Sequence, residues 1–301
     1  MVYFFTGNKA HSMKQGCTIP KNDSACAACS NSGGCACKGI GSPKLCRKLD
    51  TCTDLGSSGP VLIPGTKRLI GGGKQGVLYT LETAAPTSCV PSLTNTCISP
   101  SQPNPVQSFR ISPAPPPPNK YYRHLYGGPV IWARPQVEGG ALAYVWREND
   151  HLRSYSIGDR FVGCNTNNPA PTTSHNCPNS ARSQDFIDHH PGGVLALSAN
   201  GPDAATAIVW ATTTRVINGP GKLIAFKAVP EPSAPGELVK IWDSDLCEED
   251  RLDAGSDFIP PTVANGKVCL ATQANKVEVF GLIRGKTCAA TPLPSLGPML
   301  Q

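Results

Sequence analysis

The sequence contains no stretch approaching the about 20 apolar residues that a membrane-spanning helix needs. Its opening, Met1-Val2-Tyr3-Phe4-Phe5, is too short an apolar run for the core of a signal peptide and has no basic segment before it. Such a start is expected of a chain whose signal was removed, or of a fragment or imperfect gene product. Charged residues are scarce at 16%, which excludes a disordered chain of the acidic or basic type. Nucleotide-phosphate and serine-nucleophile signatures are also missing. Gly71-Gly72-Gly73-Lys74-Gln75-Gly76 lacks a Gly-Lys-Ser/Thr ending and a following helix, so it reads as a hairpin turn. Ser57, Ser58 and Ser198 lack the strand–turn–helix context of a nucleophile elbow.

What is present suits short strands and tight turns. Glycine and proline stand at 30 each, and 40% of residues are hydrophobic, enough for a packed core. The net charge of +6 is concentrated at the start. Residues 1–50 hold seven Lys or Arg against Asp23 and Asp50, and the rest of the chain is nearly balanced. Lys38, Lys44, Arg47 and Lys48 neither interleave with aromatics nor share a helix face, so a nucleic-acid partner is not expected. The same segment is dense in cysteine: seven of the fourteen lie between Cys17 and Cys52. Cysteine-dense loops of irregular spacing point to an oxidising compartment. Cys89 and Cys97, and Cys164 and Cys177, are candidate loop-closing disulfide pairs.

A repeat organises the remainder. Four segments open alike: Gly59-Pro60-Val61-Leu62-Ile63, Gly128-Pro129-Val130-Ile131-Trp132, Gly192-Gly193-Val194-Leu195-Ala196 and Pro260-Pro261-Thr262-Val263-Ala264. Between the markers Val61, Val130, Val194 and Val263 the offsets are 69, 64 and 69 residues, long for the strands of a β-sandwich. A second strand and an alternating third strand follow each opening, such as Lys222-Leu223-Ile224-Ala225-Phe226-Lys227. Fourth strands are visible at 106–111 and 238–242. The expected fold is therefore all-β: a β-propeller of about four four-stranded blades over 54–287, closed or left as an incomplete ring. A cysteine-rich, basic, irregular segment (1–53) precedes it, and a tail (288–301) follows. Residues 82–105, 112–120 and 163–191 are expected to be loops. Trp132, Trp146, Trp210 and Trp242 are expected inside the blades.

Several of these segments resemble blade openings of the pyrroloquinoline-quinone-like (quinoprotein alcohol dehydrogenase-like) propeller family. They are Leu62-Ile63-Pro64-Gly65-Thr66 with Ile70-Gly71-Gly72-Gly73-Lys74-Gln75-Gly76, the run from Tyr144 to Arg153, the run from Pro191 to Gly201, and the run from Pro260 to Val268. The resemblance covers about residues 54–284. It implies the C-terminal portion of such a propeller, in a secreted or periplasmic protein, with a channel mouth that takes a small-molecule or protein ligand. It also raises a second reading, an oxidoreductase using pyrroloquinoline quinone and calcium, or an inactive remnant of one. Enzymes of that kind carry adjacent cysteines and an Ala-x-Asp-x-x-Thr-Gly-x-x-x-Trp motif. Neither occurs here; the nearest remnant is Ile241-Trp242-Asp243-Ser244. The leading expectation is a binding scaffold.

Two constellations are candidates for chemistry. Arg123-His124 and His189-His190 each precede the first strand of a unit, so both pairs should lie on one face. Glu148, Asn149 and Asp150 form an inter-strand turn that could reach the same region. Histidines with a carboxylate can bind a metal or act as acid and base, and the competing reading is ordinary surface-loop histidines. Separately, Cys26, Cys29, Cys35 and Cys37 offer four thiols, enough for zinc or for disulfides. Thiol titration with and without a chelator distinguishes these. Thiols and zinc released by the chelator support the metal site, and no gain in thiols on chelation ends that reading.

Overall fold

The computed structural model describes residues 58–282 except 75, 84–105, 112–123, 165–176, 179, 215–218 and 256–257. Four antiparallel sheets follow one another along these residues, each a meander in which neighbours in sequence pair as neighbours in space. Sheet I holds β1 (Val61–Leu62), β2 (Arg68–Gly72), β3 (Val77–Glu82) and β4 (Gln107–Arg110). Sheet II holds β5 (Val130–Trp132), β6 (Ala141–Val145), β7 (Asp150–Ile157) and β8 (Ala181–Ile187). Sheet III holds β9 (Val194–Ser198), β10 (Ile208–Thr214), β11 (Gly221–Lys227) and β12 (Lys240–Asp243). Sheet IV holds β13 (Thr262–Ala264), β14 (Lys267–Thr272) and β15 (Lys276–Gly281). No helix among the described residues is long and apolar enough to cross a membrane.

The sequence pattern accounts for the local geometry. Val61, Val130, Val194 and Val263 all fall in the first strand of a sheet, as the repeat requires. The two-residue turn between β13 and β14 is Asn265-Gly266, with φ of 51° and 70°. Both central positions of such a hairpin turn need positive φ, which Asn and Gly tolerate best. The expected turn at 148–150 also forms, with Asn149 at φ 50°.

Consecutive sheets pack face to face through three apolar layers. Ile70, Leu78 and Phe109 of sheet I meet Ala143, Val145 and Tyr155 of sheet II. Tyr144, Trp146 and Leu152 of sheet II meet Val209, Ile224 and Phe226 of sheet III. There the Trp146 and Phe226 rings stand edge to face with centroids 5.5 Å apart, a favoured aromatic geometry. Leu223, Trp210 and Trp242 of sheet III meet Val268, Leu270 and Phe280 of sheet IV. The first strands are neighbours in turn: Gly128 lies against Gly59 and Val61, β5 touches β9, and β9 touches β13. At the opposite end, sheets II and III are also joined. Arg182 of β8 donates its N–H to Gly236 O (3.0 Å) and accepts from Leu238 N (2.9 Å).

Several expectations need correction. Residues 163–191 are not loop throughout: β8 supplies the fourth strand of sheet II. Its alternating Ala181, Ser183 and Ile187 face inward, but Arg182, Gln184 and Asp185 dilute the apolar signal. Sheet IV has three strands among the described residues, not four. Cys164 and Cys177 do form a disulfide, which closes the insertion between β7 and β8 and restricts the unfolded chain by about 3 kcal/mol for a loop of this size. Cys247 is also disulfide-bonded, and Cys269 is a free thiol. The pair Cys89 and Cys97, the thiols Cys26, Cys29, Cys35 and Cys37, the 1–53 segment and the 288–301 tail lie outside the described residues. All four tryptophans sit in the apolar layers, as expected.

These layers set the stability. Phe226 is fully buried between sheets, whereas Val277 on the outer face of sheet IV is 66% exposed. Phe226→Ala should cost about 3–5 kcal/mol, and Val277→Ala less than about 0.5 kcal/mol. Urea unfolding midpoints of the two variants check this.

Candidate functional site

Loops from all four sheets meet at the end where the first strands begin. Residues 124–126 are held between two turns: Leu125 N–H donates to Gly73 O in the β2–β3 turn (3.3 Å), and Glu148 N–H donates to His124 O (3.1 Å). Its side chains divide between two sides. Leu125 enters the apolar layer between sheets I and II, fully buried, and His124 and Tyr126 project the other way together. His190 arrives from the loop before β9. Gly193 N–H donates to Trp146 O (3.0 Å) and ties that loop to the β6–β7 turn. The approach requires glycine. A Cβ at Gly193 would lie 2.7 Å from the Trp146 ring, and one at Gly192 would lie 2.8 Å from Glu148 N.

Glu148 is the centre of the arrangement. Its side chain is fully buried, with Oε2 3.0 Å from His124 Nδ1 and Oε1 2.8 Å from His190 Nδ1. The backbone N–H of His124 donates to Oε2 as well (3.1 Å). Burial alone would raise the Glu148 pKa. Contacts with the His124 ring, the His124 backbone and the His190 ring outweigh it and hold the carboxyl below its ordinary value. Tyr126 Oη lies 3.0 Å from His124 Nδ1. Its ring packs edge-on against His190 (4.6 Å) and against Phe258 (5.1 Å), and Lys74 Nζ lies 5.6 Å from the Tyr126 ring centre. Phe258, at φ 62°, also stands edge-on to His190 at 5.1 Å. The result is two imidazoles on one buried carboxylate, walled by two aromatic rings. His190 is the open member, with 43% of its side chain exposed.

The expected residues therefore separate into groups. His124, Glu148 and His190 come together. His189 does not join them. Its Nδ1 meets Asp188 Oδ1 (2.8 Å) and its Nε2 meets Thr214 O and Oγ1 (3.0 and 2.9 Å), so it braces the end of β10. Successive residues of the turn diverge, which residue spacing alone does not reveal. Asp150 is buried under two guanidiniums, with Oδ1 2.8 Å from Arg153 Nη2 and Oδ2 3.2 Å from Arg147 Nε. It is a charge-compensating group in the turn. Burial pulls the Arg147 pKa down, and Asp150 partly opposes that shift. Asn149 supplies the left-handed turn conformation. Arg123 lies outside the described residues.

Tyr126, Phe258 and Lys74 were not singled out from the sequence. The signal for two of them was available: Tyr126 and Phe258 occupy the same pre-strand position, before β5 and β13, that His190 occupies before β9. A shallow hollow of about 430 Å³ elsewhere, lined by Gln107 and residues 158–164, has no comparable chemistry. The Gln107 amide there is consumed by Phe161 N, Phe161 O and Cys164 O.

Chemically, the trio can take a divalent cation or hold and pass a proton through His190. It does not fit calcium with a quinone. Calcium takes six to eight oxygen ligands. Here two of the three clustered donors are imidazole nitrogens, and the neighbouring Asp150 is occupied by arginines.

A carboxylate with a depressed pKa stabilises the fold above its ordinary pKa. It loses that contribution as the pH falls through the lower native value. Thermal unfolding between about pH 6 and about pH 3 should show a decline that starts below 4.5, and Glu148→Gln should flatten part of it. No protein-family model matches the chain, and a search of curated proteins finds no match.

Proposed function

We propose that this chain is a quinoprotein-like β-propeller, exported to an oxidising compartment, that works as a ligand-binding scaffold. The face at the start of its first strands would receive the ligand. One observation carries the reading: the segments preceding the first strand in sheets II, III and IV, and the turn between the second and third strands of sheet II, deliver His124, Tyr126, His190, Phe258 and Glu148 to one place. A propeller concentrates its inner loops in this way, because they surround the mouth of its channel. The repeated meander and the succession of neighbouring first strands support the same architecture. The Cys164–Cys177 disulfide is consistent with export.

A quinone-dependent dehydrogenase is disfavoured by the donor chemistry of the cluster. Incubation with pyrroloquinoline quinone and calcium, followed by equilibrium dialysis and a dye-reduction assay, should show no retained cofactor and no dye reduction. Retention together with dye reduction overturns the scaffold reading. An experimental structure should place Val61, Val130, Val194 and Val263 around one axis; any other arrangement removes the propeller.

A further inference from the structure

We propose that His124, Glu148 and His190 bind one divalent transition-metal ion of the zinc type, and that this ion is the anchor for the ligand on the face described above. The inference rests on the reading of that face as a binding site. It begins from donor identity. Two imidazoles and one carboxylate form a recurrent open zinc donor set, which leaves a further coordination position for water or an incoming ligand. Borderline metals take nitrogen ligands readily, and magnesium and calcium prefer oxygen.

Geometry supports it. The three ligand atoms lie within 4.8 Å of one another, and the contacts to the carboxylate are 2.8 and 3.0 Å. Ligands at bond lengths of about 2.0–2.2 Å from one tetrahedral centre stand about 3.3–3.6 Å apart. The two carboxylate contacts therefore need to lengthen by several tenths of an ångström, and the two imidazole nitrogens, at up to 4.8 Å, to close by as much as about 1.5 Å, a movement open to His190, the most exposed member. The frame around it is tied by backbone hydrogen bonds. The His124–Glu148 backbone hydrogen bond and the Gly193–Trp146 hydrogen bond lock the loops that carry the donors. Fixing donors before the metal arrives is what a metal site requires.

Charge and hydrogen bonding point the same way. Glu148 places a carboxylate at a fully buried position, where an ionised group is costly unless a cation accompanies it. The nearby guanidiniums of Arg147 and Arg153 are engaged with Asp150. His124 Nδ1 lies 3.0 Å from both Glu148 Oε2 and Tyr126 Oη, so two oxygens converge on a nitrogen that carries at most one proton. A cation among these atoms would accept the nitrogen lone pair and the carboxylate charge together. Tyr126 and Phe258 would then form the wall that shields the ion, a surrounding that tunes a metal's bound water and ligands.

The test uses the full chain after chelator treatment, with Co²⁺ as a spectroscopic probe and Zn²⁺ as competitor. The expected result is one equivalent of cobalt with visible d–d bands of nitrogen and oxygen ligation and no thiolate charge-transfer band from this site, displaced by zinc. His190→Ala, at a position with 43% side-chain exposure, should fold normally by circular dichroism and weaken binding by at least about 100-fold, beyond the about 10–100-fold typical of losing an outer-shell partner. His189→Gln should bind as the parent does. Cobalt bound only through thiolates, or unchanged affinity in His190→Ala, overturns the metal site. Loss of the metal site alone would leave the face open to a metal-free ligand, whereas sheets arranged otherwise than around an axis would remove the scaffold reading independently.

Discussion

Every other feature depends on the burial of sheet faces against one another. A three- or four-stranded sheet this small has two faces and cannot bury both by itself. Here each interior face finds its partner in the next sheet along the chain. The layer between sheets II and III is the densest in aromatics, with Trp132, Tyr144, Trp146 and Phe226 all buried. Because those layers fix the distance between first strands, they also fix the distance between the loops that precede them. Glu148 sits two residues beyond Trp146, and His190 three residues before Gly193, which packs on the Trp146 ring. The core thus determines the separation of the carboxylate and the imidazole.

Much of this was legible in the sequence. Periodicity at 64–69 residues identified the four units, since each opening needs a turn and an apolar first strand. The third strand expected at Lys222–Lys227 forms as Gly221–Lys227, and the fourth strands expected at 106–111 and 238–242 form as Gln107–Arg110 and Lys240–Asp243. β8 escaped because its inward positions include Ala181 and Ser183, whose small side chains give little hydropathy contrast. Its pairing with β7 also shifts register between His151 and Arg153. Among the site residues, chain position put His124 and His190 before first strands on one face and left open whether Glu148 reaches them. It could not distinguish His190 from His189, because which way each turn residue points depends on the path through Pro191-Gly192-Gly193. Asp150 looked like a ligand for the same reason Glu148 did. Only the two arginines around it, one before the turn and one after, show that its charge is already matched.

The turn at 147–150 therefore separates two acidic residues that are neighbours in sequence. Asp150 is neutralised inside the sheet by guanidiniums. Glu148 is directed to the loop face, where imidazoles meet it. One residue of left-handed conformation at Asn149 lies between them, and it sets the divergence of the two carboxylates.

The outer junction of sheets II and III carries a further implication. Arg182 is paired with the Gly236–Leu238 segment by backbone hydrogen bonds, and Lys240 bridges across to Asp185 at 3.0 Å. These two sheets are consequently fastened at both rims as well as through their shared layer. They should open as a single cooperative unit, with amide protons that exchange together and last. Fraying would begin at the ends of the row. His124, Glu148 and His190 all belong to sheets II and III or the segments leading into them, so these three donors, without the Phe258 wall, should outlast partial unfolding of sheet IV.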